Sequence, residues 1–185
     1  MSAALLQKRN KSNELEDDRE SCLHVLTWTA LRFTDYTLLE GCRLKTLLRP
    51  FDEAYEDKDG VKGGELKEGS LLGRHIPKRV KFDSRPHLDE LIAVLTKTFA
   101  VRYEETPSKE RFERLEEMEK SGLYSSNDLA ENTVFQYKNR ISSLKERSWL
   151  VKTFRSHLDA GCWPTSDIAN KQLIDGHRGK RRKIG

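Results

Sequence analysis

Hydrophobic positions along the chain are spaced for helices. From Arg19 to Phe33, Cys22, Leu23, Val25, Leu26, Trp28, Ala30, Leu31 and Phe33 leave almost no polar face. A helix apolar nearly all round belongs inside a domain, so this one is expected to be the central post of a helical bundle. Asp17 and Asp18 precede it, and acids suit a helix start. Leu44, Leu47, Leu48, Phe51 and Tyr55 predict a second helix over Gly41 to Glu56, with Pro50 as a kink or break. Leu88, Leu91, Ile92, Leu95 and Phe99 form one stripe and predict a third over His87 to Tyr103. Thr106-Pro107 reads as cap and first position of a fourth, which is highly charged, turns only Phe112, Leu115 and Met118 inward, and ends at Gly122. Val134, Tyr137, Ile141 and Leu144 predict a helix over Asp128 to Arg147. Leu150, Phe154 and Leu158 predict a last one over Ser148 to Ala160, closed by Gly161 and docked by Trp163-Pro164.

Between these helices the segment DKDGVKGGELKEGSLLGRHIP reads as a long loop. Arg79-Val80-Lys81-Phe82 alternates but is short, so the fold class is read as all-α. Residues 1–16 are polar and expected to be poorly anchored, residues 17–164 form the helical body, and residues 165–185 form a disordered tail.

Composition sharpens this. Of 185 residues, 36% are hydrophobic and 35% charged, which fits a well-solvated helical domain or a piece of a larger one. The net charge of +4 resides in the tail. Arg178, Lys180, Arg181, Arg182 and Lys183 carry five positive charges, and the rest of the chain holds 29 basic against 30 acidic residues. A near-neutral body argues against a nucleic-acid face outside the tail. No apolar run is long enough for a bilayer, and the start MSAALLQKRNK lacks a signal-peptide block. Cys22, Cys42 and Cys162 make no CxxC pair or disulfide framework, which suits a reduced compartment, cytoplasmic or nuclear.

Familiar chemistry fails on spacing. If Gly60 were position six of a calcium loop, Tyr55 would be position one; if Gly63, Lys58 would be. No GxxxxGK[ST] or GxGxxG is present. His24, His75, His87, His157 and His177 form no zinc-site spacing. No residue is assigned to catalysis, a cofactor or a metal.

The run ELEDDRESCLHVLTWTALRFT resembles the central helix of the C-lobe in fungal-type protein kinases, the group expanded in mushroom-forming fungi. LLRPFDEAYEDKDGVKGGELKEGSLLGRHIPKRVKFD, LTKTFAVRYEETPSKERFERLEE, SWLVKTFRSHLDAGCWP and the basic tail are similar to the segments that follow it in that group. The resemblance spans nearly the whole chain and implies a kinase C-lobe without N-lobe or catalytic loop. MSAALL resembles the end of the activation segment. Kinases begin the central helix with Asp-x-Trp-Ser, and Asp18, Arg19, Glu20 and Ser21 stand there, with Glu20 in place of Trp. The resemblance implies that Asp18 is the buried anchor of the catalytic loop, held by charge-assisted hydrogen bonds. ATP and Mg are implied only for an intact family member. This chain has no H-R-D-x-x-x-x-N and no D-F-G; Lys8-Arg9-Asn10 and Lys81-Phe82-Asp83 are chance echoes.

Three roles follow as expectations: an inactive kinase C-lobe fragment, a module binding another protein or kinase through the Gly-rich loop and the helix Ser108 to Lys120, or a small nuclear protein acting through its tail. With half the surroundings of the central helix missing, apolar surface around Leu23, Trp28 and Leu31 is expected to be exposed and to drive self-association. The tail reading is tested by fusing residues 165–185 to a reporter. Nuclear accumulation is expected if the tail is an import signal, and a diffuse cytoplasmic signal removes that reading.

Overall fold

The computed structural model describes residues 1–8, 10–38, 43–58, 60–73, 80–161 and 163. Nine helices and four short strands lie among them: α1 (Ala3–Gln7), α2 (Leu15–Phe33), β1 (Tyr36–Leu38), α3 (Leu44–Asp52), β2 (Ala54–Asp57), β3 (Gly60–Gly63), α4 (Glu65–Leu71), β4 (Val80–Phe82), α5 (Pro86–Ala100), α6 (Lys109–Ser121), α7 (Ser126–Glu131), α8 (Thr133–Lys145) and α9 (Trp149–Ala160). The fold is mostly helical. None of the described helices is long and apolar enough to cross a membrane.

The central post is α5, which packs against α2, α4, α8, α9 and β4. Leu88, Leu91, Ile92, Leu95 and Phe99 are all buried, as their i, i+3, i+4 spacing requires. Phe99 meets Trp149 of α9 edge-on, with ring centroids 5.7 Å apart. The helix expected at the centre, α2, lies to one side against α3 and α5. Its outer face carries Cys22, Val25 and Thr29, all exposed, while polar Asp17, Arg19, Glu20 and His24 are buried with Leu23, Ala30 and Leu31. Residues 17, 20, 24 and 31 share one side of a 3.6-residue helix. A helix expected to be apolar and buried all round therefore has an exposed face and a polar stripe turned inward. Leu23 and Leu31, expected at the surface, are enclosed, and the exposed large apolar groups of this helix are Leu15 at 50% and Val25 at 63%, with Trp28 partly exposed.

The second helix ends at Asp52, and Ala54–Asp57, expected within it, is a strand; the expected long loop holds the strand Gly60–Gly63 and the helix α4, and the short alternating run at 80–82 is also a strand. In β2 and β3, antiparallel neighbours run from Ala54 opposite Gly63 to Asp57 opposite Gly60. Asp59-Gly60 is a hairpin signal in the sequence. The alternating run at 80–82 forms β4, with Val80 and Phe82 buried and Lys81 exposed. It pairs antiparallel with β1, Tyr36 opposite Phe82. The Asp89 carboxylate accepts from the Phe82 amide at 3.2 Å and ties β4 to α5.

Helix ends follow local chemistry. Gly122 stops α6 at φ 65°, a left-handed conformation that glycine adopts without strain. The cap of α6 is Ser108, beyond the expected Thr106-Pro107. The single helix predicted over 128–147 is divided by Asn132, whose side-chain oxygen accepts from the amides of Val134 and Phe135 at 2.9 and 3.1 Å and so opens α8. Trp163 docks by donating its Nε1–H to the His157 carbonyl at 3.2 Å.

The buried α5 and the exposed face of α2 make opposite predictions. Phe99→Ala should cost about 3–5 kcal/mol of stability, whereas Val25→Ala should stay within about 0.5 kcal/mol. Urea unfolding of the two variants checks this. Equal losses would restore α2 to the centre.

Candidate functional site

The first turns of α2 project two carboxylates, Asp17 and Glu20, onto the inward face, where both are fully buried. Such groups require charged or hydrogen-bonding partners. These come from segments far along the chain. Just past α5, Arg102 approaches both acids. Its Nη2 donates to Asp17 Oδ1 at 2.7 Å, and its Nη1 donates to Glu20 Oε2. Tyr103 donates its hydroxyl to Glu20, 2.8 and 2.9 Å from the two oxygens.

Further partners come from residues 1–11 and from α2 itself. Ser2 Oγ donates to Asp17 Oδ1 at 2.8 Å and also accepts from the Leu5 amide as the N-cap of α1. The Ala3 amide donates to Glu20 Oε1 at 2.8 Å, and the Ala4 amide donates to Tyr103 Oη at 3.0 Å. Lys11 reaches Asp17 Oδ2 at 2.5 Å, beside the Glu14 amide at 3.0 Å. His24, one turn further along α2, places Nε2 3.2 Å from Glu20 Oε1. Residues 1–8, expected to be loosely attached, are thereby fastened to the helical body, and Ser2, Ala3, Ala4 and Leu6 are buried. Gly64, at φ 93°, permits the close approach of α1. A side-chain carbon there would stand 2.6 Å from the Ala3 carbonyl oxygen.

Burial by itself pushes the Asp17 carboxyl up. Hydrogen bonds from Arg102, Lys11, the Glu14 amide and Ser2 more than reverse this and hold it well below the usual carboxylate range. Glu20 behaves alike: burial raises it, and His24, the Ala3 amide and the Arg102 charge bring it below its ordinary value. Tyr103 is pushed up, first by burial and then by the Glu20 charge, and keeps its proton. Carboxylates so fully occupied are poor proton acceptors. The cluster holds segments together and presents no free base or nucleophile.

Asp18, the position that the resemblance selects, points to solvent and accepts from Asn13 Nδ2 at 3.0 Å. The buried acids are its neighbours Asp17 and Glu20, because the helix turns residue 18 about 100° away from residue 17. Arg178, Lys180, Arg181, Arg182 and Lys183 lie outside the described residues, as do Cys42 and Cys162. Cys22 is a free, exposed thiol. Among the described residues, no group of three His, Cys, Asp or Glu is placed to hold a metal.

Sequence reading passed over Asp17 and Glu20 as a helix start and did not single out Ser2, Arg102 or Tyr103. The available signal was that Asp17, Glu20 and His24 share the helix face of Leu23 and Leu31, while Arg102-Tyr103 closes an apolar run. No protein-family description, curated protein or solved structure matches the chain.

Replacing Arg102 by Leu leaves two buried acids without their shared cation, so a loss of about 3–5 kcal/mol is expected. Both acids have lowered folded-state pKa values. Their contribution is therefore complete above the ordinary carboxylate range, near pH 4, and is lost as pH falls below it. Acid unfolding followed by circular dichroism should accordingly be less steep in Asp17→Asn than in the parent chain. An identical acid profile would remove Asp17 from the cluster's energetics.

Proposed function

We propose that this chain is the helical scaffold of a fungal-type protein kinase C-lobe, following the activation segment, and that its own residues carry out no phosphoryl transfer. The resemblance of the long stretches given above supports the reading. The observation that carries it furthest is the fastening of residues 1–8, the stretch similar to an activation-segment end, onto α2 and the end of α5. Asp17, Glu20, Arg102 and Tyr103 do this as a rigid, saturated junction. A junction of that kind positions a segment for other groups. Phosphoryl transfer depends on positioned phosphate-binding and Mg-binding groups, and no sequence motif for them occurs in these 185 residues.

In this reading the anchoring role assigned to Asp18 passes to its buried neighbours, while Asp18 contributes charge at the helix start. Titration of the purified chain with Mg-ATP in a calorimeter is expected to give no binding heat. A stoichiometric signal would overturn the scaffold reading.

A further inference from the structure

Lys67 of α4 is buried, with 6% of its surface exposed, yet no hydrogen-bond acceptor or carboxylate lies within bonding distance of it among the described residues. The nearby acids are committed elsewhere. Glu53 accepts from the amides of Gly64 and Leu66 at 3.1 and 2.8 Å. Glu20 is saturated by Ala3, Tyr103, Arg102 and His24. Burial lowers the Lys67 pKa, and the more distant charges of Glu53, Glu20 and Asp52 only partly offset this. A buried ammonium without a partner is costly.

Lys67 is not sealed in. The fully enclosed side-chain nitrogen left without a partner among the described residues is Arg32 Nε. Lys67 instead lines a surface groove of about 430 Å³ with His24, Val25, Trp28, Phe51 and Asp52. A smaller cavity of about 40 Å³ adjoins it and shares Lys67, His24 and Phe51. The aromatic walls are braced. Phe51 meets His24 edge-on at 6.0 Å, and Trp28 meets Phe33 at 6.1 Å, with the Arg32 guanidinium 5.7 Å from the Trp28 ring centre. Met1, Ser21 and Thr29 complete the lining, and small-molecule sites of this size likewise combine apolar walls with a few polar groups that fix orientation.

We propose that this groove binds a small monocarboxylate with an apolar body, its carboxylate paired with Lys67 and its body against Trp28, Phe51 and Val25. The anion supplies the counter-charge that the fold withholds from Lys67. Asp52, exposed at the rim, disfavours a second negative charge, so a monoanion is preferred over a phosphate dianion. The exposed side of α2, which the fold leaves uncovered at Val25, becomes one wall of this site.

The probe is 4-phenylbutyrate, with 4-phenylbutan-1-ol as its uncharged counterpart, titrated into the full chain by ligand-observed NMR and calorimetry. Phenylbutyrate is expected to bind at least tenfold more tightly than the alcohol. Lys67→Met, which removes the buried charge while keeping the stem, should abolish that preference. Val25→Glu, at an exposed position, should weaken phenylbutyrate at least fivefold and the alcohol little. It reports on the groove even if Lys67→Met fails to fold. Equal binding of acid and alcohol would overturn the proposal in favour of nonspecific apolar contact. No binding of either would mean that water alone serves Lys67, and would overturn it as well.

Discussion

The shared pairing of Arg102 with Asp17 and Glu20 is the constraint around which the rest of the structure is arranged. Two acids buried on one face of α2 cannot be left without a cation. That requirement brings the end of α5 against the start of α2 and gives the amides of Ala3 and Ala4 somewhere to bind. Ser2 and the Ala3 amide bond the same two acids, so α1 is tied to this pairing. Gly64 completes the arrangement, since any side chain there would meet the α1 backbone.

A second set of charged contacts closes the same C-terminal end of α5 from the side of α8. Arg140 of α8 forms a two-pronged pair with Glu104, at 2.5 and 2.7 Å, and donates to the Lys97 carbonyl at 3.1 Å. Arg19 of α2 donates to the carbonyls of Leu144 and Arg147 at 2.5 and 2.7 Å and so satisfies the C-terminal end of α8. Arginine suits this work because its planar fork makes several directed hydrogen bonds at once. Buried arginines thus connect α2, α5 and α8, while the leucines and aromatics between them supply most of the burial. The high charged content read at first as solvation is partly internal cross-linking.

Lys67 stands apart from this pattern. Lys11, Arg19, Arg102 and Arg140 have carboxylate or carbonyl partners close by, and Arg32 lies over the Trp28 ring, whereas Lys67 opens on a groove walled in part by rings. A scaffold that saturates its buried acids so completely, and leaves Lys67 beside a groove without a paired counter-charge, places binding potential there.

The sequence by itself determined the local elements. The stripe from Leu88 to Phe99, the stop at Gly122 and the charged, solvated α6 could be read because periodicity and capping depend on residues within a turn or two. The predominance of helix was legible for the same reason. Tertiary structure decided which helix lies at the centre, which face of α2 turns inward, that residues 1–8 are held, and that Asp17 and Glu20, not Asp18, are buried. Those outcomes rest on partners from 15 to 99 residues apart along the chain. A charge reads as surface until the group that neutralises it has been brought beside it, and no local pattern encodes that meeting.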